Sequence, residues 1–334
     1  MSKQVKELVR RLRPSLSLAE YGRLFTDTTA YMEISYGDVI EIDNHHYLVL
    51  RDEVERSFGI EDPKYWVKRC ILLETGERRI LKLVFHEKFM LKLGALEIPC
   101  YRSPEKEARI LDLVRGDLRF MQGYSRFDKK GNVVRIIEII SGKRLDHAVF
   151  EIETNHRDYF YNHLPGILKK FMDSCRAIKF LHDHGEIHGD IRRDHLWIEH
   201  GTGRYRWIDF DYAYEFEENP FGLDIFGLGS LLIYLVGKQI FTMSNLESQG
   251  FSKEVAASIS EEDFSLLYKN RIVNLKKLYP YIPKRLNLVL MHFSNKAEVF
   301  YETVDEFLQD LEPCIDEINP NYALQTPGGD NSFE

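Results

Sequence analysis

Two acidic motifs and one lysine are conspicuous because each interrupts an apolar run. The first is Ile187-His188-Gly189-Asp190-Ile191-Arg192-Arg193-Asp194-His195-Leu196-Trp197-Ile198, and the second is Trp207-Ile208-Asp209-Phe210-Asp211. The third is the lone Lys82 within Ile80-Leu81-Lys82-Leu83-Val84-Phe85. Carboxylates in such settings can offer hard oxygen ligands to a divalent cation or work as acids and bases. A lysine alternating with apolar neighbours on a strand points inward, and a buried ammonium calls for a carboxylate partner such as Glu107. Each feature alone has a plain reading: aspartates are common turn residues, and a lysine suits an exposed edge strand. The spacing of nineteen residues between Asp190 and Asp209, both flanked by apolar strand residues, favours chemistry.

The elements that must position these groups follow from the pattern of the chain. Residues 1–35 read as a polar, helix-prone extension, with Val5, Leu8, Val9 and Leu12 at helical spacing. Strand signals follow over Asp38–Ile42, Tyr47–Arg51, Tyr65–Leu73 and Arg79–Phe85, the last two joined by a turn at Thr75-Gly76-Glu77. Ser103-Pro104-Glu105 opens a helix with an N-cap, a first-turn proline and acids, and Gly116 should end it. Strands at Arg119–Phe127 and Val133–Ile140 flank a turn at Lys129-Lys130-Gly131-Asn132. From His163 the apolar residues Leu164, Leu168, Phe171, Cys175, Ile178 and Leu181 recur at helical spacing. A second apolar helix covers Ile225–Val236, amphipathic helices fill 251–318, and 319–334 read as a disordered tail. The expected class is α+β: an antiparallel β-sheet lobe with one main helix, a helical lobe, and a cleft between them.

On these motifs the chain resembles the protein kinase-like superfamily, in particular divergent bacterial-type serine/threonine protein kinases. His-Gly-Asp followed four residues later by His195 is similar to the catalytic loop HRD-x4-N. Ile208–Asp211 is similar to the metal-binding DFG, and Ile80–Leu83 to the lysine strand. Glu107 matches the helix glutamate that pairs with that lysine, and Asp224 and Gly229 match the buried helix that anchors the catalytic loop. The resemblance implies a phosphoryl transfer from ATP with Mg²⁺. Asp190 would orient and deprotonate the acceptor hydroxyl, Arg192 would stand for the usual lysine near the γ-phosphate, and Asp209 would hold the metal. Lys82 would reach phosphate, and backbone groups of Glu138 and Ile140 would contact adenine at the hinge. His188 would hold the loop by packing and hydrogen bonding. The domains implied are an extension over 1–45, a small lobe over 46–140, a large lobe over 141–318 and the tail.

The sequence departs from that family's pattern in three places. Ser57-Phe58-Gly59 keeps the end of the glycine-rich loop that cradles phosphate, but Val54 and Arg56 occupy its first two glycine positions. Six residues, Ile60 to Tyr65, are expected as an insertion after it; Arg56 could partly substitute for the glycines, or the segment is a plain exposed hairpin. His195 replaces the asparagine of the second metal. It would ligate an ion such as Mn²⁺, leave a one-metal site, or only cap the loop. Gly189 replaces the arginine that grips a phosphorylated activation loop, and only twelve residues separate Asp211 from Asp224. Control by phosphorylation of that segment is therefore not expected.

The 334 residues carry 45 Lys and Arg against 53 Asp and Glu, a formal net charge of −8, which argues against nucleic-acid binding. No uncharged apolar run reaches eighteen residues, so no membrane span is expected, and the basic start lacks the apolar block of a secretory signal. Four scattered cysteines without a CxxC pair fit a reducing, cytoplasmic setting. The expected function is an ATP-dependent phosphotransferase, foremost a protein serine/threonine kinase acting on a protein hydroxyl. The alternatives are a small-molecule or glycan kinase, favoured by the HGD motif, and a nucleotide-binding pseudokinase scaffold, favoured by the altered glycine loop.

Overall fold

The computed structural model describes residues 3–13, 22–57, 60–93 and 96–318. In chain order its first elements are α1 (Lys3–Leu12), β1 (Leu24–Phe25), β2 (Val39–Ile42), β3 (His45–Ser57), β4 (Ile60–Leu72), β5 (Arg78–Lys82), β6 (Lys88–Leu93) and β7 (Leu96–Arg102). Then come α2 (Pro104–Leu113), β8 (Gly123–Phe127), β9 (Val133–Glu138), β10 (Gly142–Arg144), α3 (Leu145–Phe150), the single turn α4 (His156–Asp158) and α5 (Leu164–Asp183). The remainder are β11 (Leu196–Glu199), β12 (Tyr205–Trp207), β13 (Tyr212–Tyr214), α6 (Gly222–Gly237), α7 (Lys253–Ser258), α8 (Lys284–Met291), α9 (Val304–Leu311) and α10 (Cys314–Glu317). Strands dominate the N-terminal part and helices the C-terminal part, the α+β plan of a two-lobed kinase-like fold. Contacts divide the chain into two compact units, one from 1–88 with 101–141 and one from 89–100 with 142 onward.

The first unit is a seven-stranded sheet in the order β1-β2-β3-β4-β5-β9-β8, antiparallel except for the parallel β1–β2 pair. Its apolar face closes over Ile40, Tyr47, Val49, Cys70, Leu81 and Ile136, all buried. The expected turns are present, with Gly76 at φ +82° and Gly131 at φ +90°, a region that glycine enters without a Cβ penalty. Ser103 caps α2 by accepting from the Lys106 amide, with Pro104 in the first turn as its type predicts.

The strand expected over 38–42 is β2; residues 24–25, read as part of a helix-prone extension, pair with it as β1, and α1 lays Val5 and Val9 against Val39, Leu48 and Leu73. Of the two readings given for the segment through residues 60–65, an insertion or a plain hairpin, the hairpin is observed: these residues begin β4 and pair back on β3. The register moves from Asp52↔Lys68 to Glu53↔Lys64, so Tyr65-Trp66-Val67 form a bulge on β4. Beyond it Lys64 pairs with Glu55, and Arg69 reaches across the bulge to Glu53, so charge rather than apolar alternation marks this part of the hairpin.

In the second unit α5 buries Leu164, Leu168, Phe171, Cys175, Ile178 and Leu181, the face read from their spacing. α6 is buried along nearly its whole length. Two of its glycines are required by close approach: a Cβ on Gly227 would stand 2.6 Å from the Ile191 Cβ, and one on Gly229 2.3 Å from the Phe293 ring. Two small sheets complete the unit, β10-β11-β12 and β13-β7-β6. Among the described residues no helix is long and apolar enough to cross a membrane. The proposed tail lies outside the described residues.

Candidate active site

In the first unit β5 and β9 run antiparallel with Lys82 opposite Arg135. Lys82 Nζ donates to Glu107 Oε1 at 2.7 Å, and Arg135 Nε donates to Glu107 Oε2 at 3.1 Å. The side chains are 4%, 0% and 1% exposed for Lys82, Glu107 and Arg135. One carboxylate thus serves two buried cations through separate oxygens. The second Arg135 bond, from NH1 to the Val133 carbonyl at 3.1 Å, fixes the guanidinium. Such a cluster is favourable only because every member is paired. Arg135 was not among the residues singled out from the sequence. Its signal is the one that marked Lys82, a single cation inside an apolar run, Val133-Val134-Arg135-Ile136-Ile137.

Glu138 ends β9 opposite Arg79, and its amide donates to the Gln122 carbonyl at 2.9 Å. A contact from Glu138 to a base would therefore use its carbonyl. Ile140 lies two residues further, beyond the strand. Ser57 ends β3 opposite Ile60, and Phe58 and Gly59 lie outside the described residues.

In the second unit the loop 187–195 is built around Asp224, the buried acid at the start of α6. Its carboxylate accepts from the amides of His188 at 2.7 Å and Gly189 at 2.8 Å, and from His182 Nε2 at 3.1 Å. Burial alone would raise its pKa, but the His182 bond and charge, with the backbone donors, overcome that and hold it below the ordinary carboxylate value. Gly189 sits at φ +85°, so this bend is open to glycine where arginine would be strained. His188 is enclosed by Trp207 and Phe210, edge to face at 5.1 and 6.0 Å, and its Nδ1 accepts from the Asp190 amide at 3.3 Å.

That frame brings Asp190, Arg192, His195 and Asp209 together. Burial raises the Asp190 pKa, with like charge from Asp209 and Asp211 adding to it against the pull of His195 and Arg192. Asp190 Oδ2 lies 3.4 Å from His195 Nδ1 and 4.0 Å from Arg192 NH1. Arg192 is engaged by Asp194, Nε to Oδ1 at 3.1 Å and NH2 to Oδ2 at 2.6 Å. Burial works against ionisation of Asp194, yet these bonds and nearby His195 take its pKa down to about 2. The fork fixes the guanidinium plane beside Asp190.

His195 Nδ1 lies 2.9 Å from the Asp190 carbonyl, which can only accept, so this nitrogen carries a proton. In the neutral ring Nε2 then turns a lone pair toward Asp209 Oδ2, 3.8 Å away. Two acceptors facing each other at that distance fit a shared cation. Asp209 adopts φ +58°, a left-handed conformation costly for most side chains and more accessible to aspartate. Among the described residues no cluster of three or more His, Cys, Asp or Glu is arranged as a closed metal cage. One carboxylate with one imidazole suits an ion that takes its other ligands from a phosphate substrate and water, as Mg²⁺ commonly does; the nitrogen suits Mn²⁺ better.

The segment after Asp211 is paired rather than loose. β13 joins the hairpin of β6 and β7, the Glu215 amide donates to the Pro99 carbonyl at 3.0 Å, and Phe89 meets Tyr212 edge to face at 5.6 Å. This hairpin, and the roles of Asp194 and His182, escaped the sequence reading, because isolated charged side chains do not announce their partners.

No protein-family model matches the chain. Over 149 residues it is 24% identical to a putative ribosomal protein S6 kinase alpha-2 of Caenorhabditis elegans, covering 44% of this chain and 17% of that protein. It is 23% identical to putative serine/threonine-protein kinase B of Trypanosoma brucei brucei over 248 residues, and 23% identical to kinase A of the same organism over 249 residues. Each match covers 61% of this chain and 56% of the relative, so the chain spans about half the length of those two and less of the first. At these identities the chain is distantly similar to serine/threonine protein kinases.

Proposed function

We propose that the protein is an ATP-dependent phosphotransferase acting on a hydroxyl acceptor, with a protein serine or threonine as the first candidate. The single observation that carries this reading is the pairing of Lys82 with Glu107 in one unit while the other holds Asp190 and Asp209 around one braced loop. The distant similarity to proteins named as serine/threonine kinases supports it and favours a protein acceptor.

In this reading Lys82, oriented by Glu107 and Arg135, neutralises phosphate charge, and Asp190 orients the acceptor hydroxyl and takes its proton. A raised pKa suits Asp190 to that work, because a stronger base accepts the proton more readily. Arg192, held by Asp194, keeps positive charge beside Asp190. Asp209, with His195, would hold a divalent ion, whose chemistry is to neutralise charge on the transferred group. The carbonyl of Glu138 and the amide of Ile140 would meet adenine, and Ser57, Phe58 and Gly59 would lie over phosphate. The four cysteines are free and buried, in keeping with the cytoplasmic placement we propose.

A small-molecule acceptor is the second reading, favoured by the twelve-residue segment between Asp211 and Asp224. Transfer of labelled γ-phosphate to a panel of proteins and metabolites tests both. Label on protein alone supports the first; metabolite turnover alone supports the second. No transfer to any acceptor, with wild type and Asp190→Asn indistinguishable, would refute both.

A further inference from the structure

The lysine–carboxylate pair of the first unit is braced by more than its two members. Lys82 on β5 and Arg135 on β9 are directly opposite each other on neighbouring antiparallel strands, so both side chains leave the same face of the sheet. Like charges set opposite on a sheet are unfavourable, and both residues are almost fully buried. Glu107 answers the two together, Oε1 accepting from Lys82 Nζ and Oε2 from Arg135 Nε.

The two donors differ in stiffness. Lys82 carries an ammonium on a flexible stem, whereas Arg135 presents a planar fork. Its NH1 donates to the Val133 carbonyl of its own strand at 3.1 Å, and Val133, Val134, Ile136 and Ile137 on either side of it are buried. β9 itself lies inside the sheet, between β5 and β8. Among the described residues Glu107 is the carboxylate that Arg135 meets. The guanidinium is thus the fixed side of the contact, and the carboxylate is the side that is held.

α2, which carries Glu107, is tied to β9 a second time. The Gln122 side chain accepts from the Gly116 amide at 2.8 Å and donates to the carbonyls of Asp117 at 2.8 Å and Val114 at 3.2 Å, closing the C-terminal end of the helix. The Gln122 carbonyl accepts from the Glu138 amide on β9 at 2.9 Å. From Glu107 to Val114 along the helix, and from Arg135 to Glu138 along the strand, the distance is about 10 Å, so the two ties keep step. A helix fastened at two points to one interior strand cannot carry Glu107 away from Lys82 without first breaking its bond to Arg135.

We infer that Arg135 is a positioning residue that holds the Glu107 carboxylate in place for Lys82, so that their pair is a standing part of the first unit and not one that nucleotide or a partner must assemble. The role of Lys82 in this statement rests on the phosphotransferase reading, while the clamp on α2 stands independently of it. Loss of one charged hydrogen bond shifts the equilibrium between held and released carboxylate by about tenfold or more. Without the clamp, part of the nucleotide's binding free energy goes into recovering the held state, and saturating nucleotide recovers it in full. Affinity then falls while turnover at saturation is kept.

Hydrogen exchange of the full chain without nucleotide tests the clamp. In Arg135→Leu the α2 amides should exchange about tenfold faster than in wild type, those of β3 and β4 should stay within about twofold, and Arg135→Lys should fall between. Equal α2 exchange in wild type and Arg135→Leu, or equal acceleration of α2 and β3, overturns the assignment. Calorimetric titration with Mg²⁺ and a non-hydrolysable ATP analogue, beside steady-state turnover, tests the consequence. Arg135→Leu should bind the analogue about threefold to tenfold more weakly, with KM for ATP rising alike and kcat within about twofold of wild type, and Arg135→Lys should recover part of the affinity. A fall in kcat with affinity unchanged would mean that Arg135 acts on the transferred group itself, and no change in either would mean that it serves stability alone; each result overturns the positioning role. Faster α2 exchange in Arg135→Leu, in a chain that neither binds the analogue nor consumes ATP, would leave the clamp standing and remove the phosphotransferase reading.

Discussion

Removing the Glu107 carboxylate takes one shared acceptor from two buried cations of the first unit. Lys82 and Arg135 donate to separate Glu107 oxygens from almost fully buried positions. Breaking a buried pair by deleting one partner costs about 3–5 kcal/mol, and Glu107→Ala should fall in that range because each cation loses a charged hydrogen bond to it. Arg135→Leu alone removes a charged hydrogen bond worth about 1.5–3 kcal/mol. Burial of an apolar side chain offsets a similar amount, about 1.5–3 kcal/mol, so the net cost is small. In the Glu107→Ala background the same substitution removes one stranded charge. It should therefore restore stability, with a coupling of about 1–3 kcal/mol between the two sites. Urea denaturation combined with hydrogen exchange of the β9 amides reads this out for the first unit specifically. Additivity within about 0.5 kcal/mol would refute the claim that Glu107 bridges the two cations.

Two further perturbations probe the second unit. Gly229→Ala places a methyl 2.3 Å from the Phe293 ring and should destabilise by about 1–3 kcal/mol, an overpacking cost measurable by thermal unfolding; an unchanged melting temperature would contradict the close approach. Asp194, with its pKa depressed to about 2, contributes stability that is fully present above its unfolded value near 4 and is lost as pH falls toward 2. Asp194→Asn should flatten the acid limb of the stability profile over that window, and a limb of undiminished slope would show that the Arg192 fork does not set it.

Much of the frame was legible because local rules and tertiary packing agree there. Ser103 and Pro104 begin α2, Gly76 and Gly131 turn their hairpins, and the spacing from Leu164 to Leu181 marks the buried face of α5. Lys82, Asp190 and Asp209 stood out because polar groups inside apolar runs need a reason, and Glu107 because the resemblance matched it to a helix glutamate. The extended hairpin of β3 and β4 was legible only as one of two readings, since its outer half carries cross-strand charges such as Lys64 with Glu55 and no period-two apolar signal. The strand β2 was legible, but the two-residue β1 was not, because its place is set by a long-range partner. Arg135, Asp194 and His182 became meaningful only once the fold showed which charges they meet.

The central claim is that Asp190 performs phosphoryl-transfer chemistry rather than merely shaping a turn. Steady-state ATP consumption with Mg²⁺ and with Mn²⁺, measured for wild type and Asp190→Asn alongside nucleotide affinity, addresses it most directly. The kcat of the variant should fall by roughly 10²–10⁴-fold with affinity retained. Equal turnover in the two proteins would contradict it.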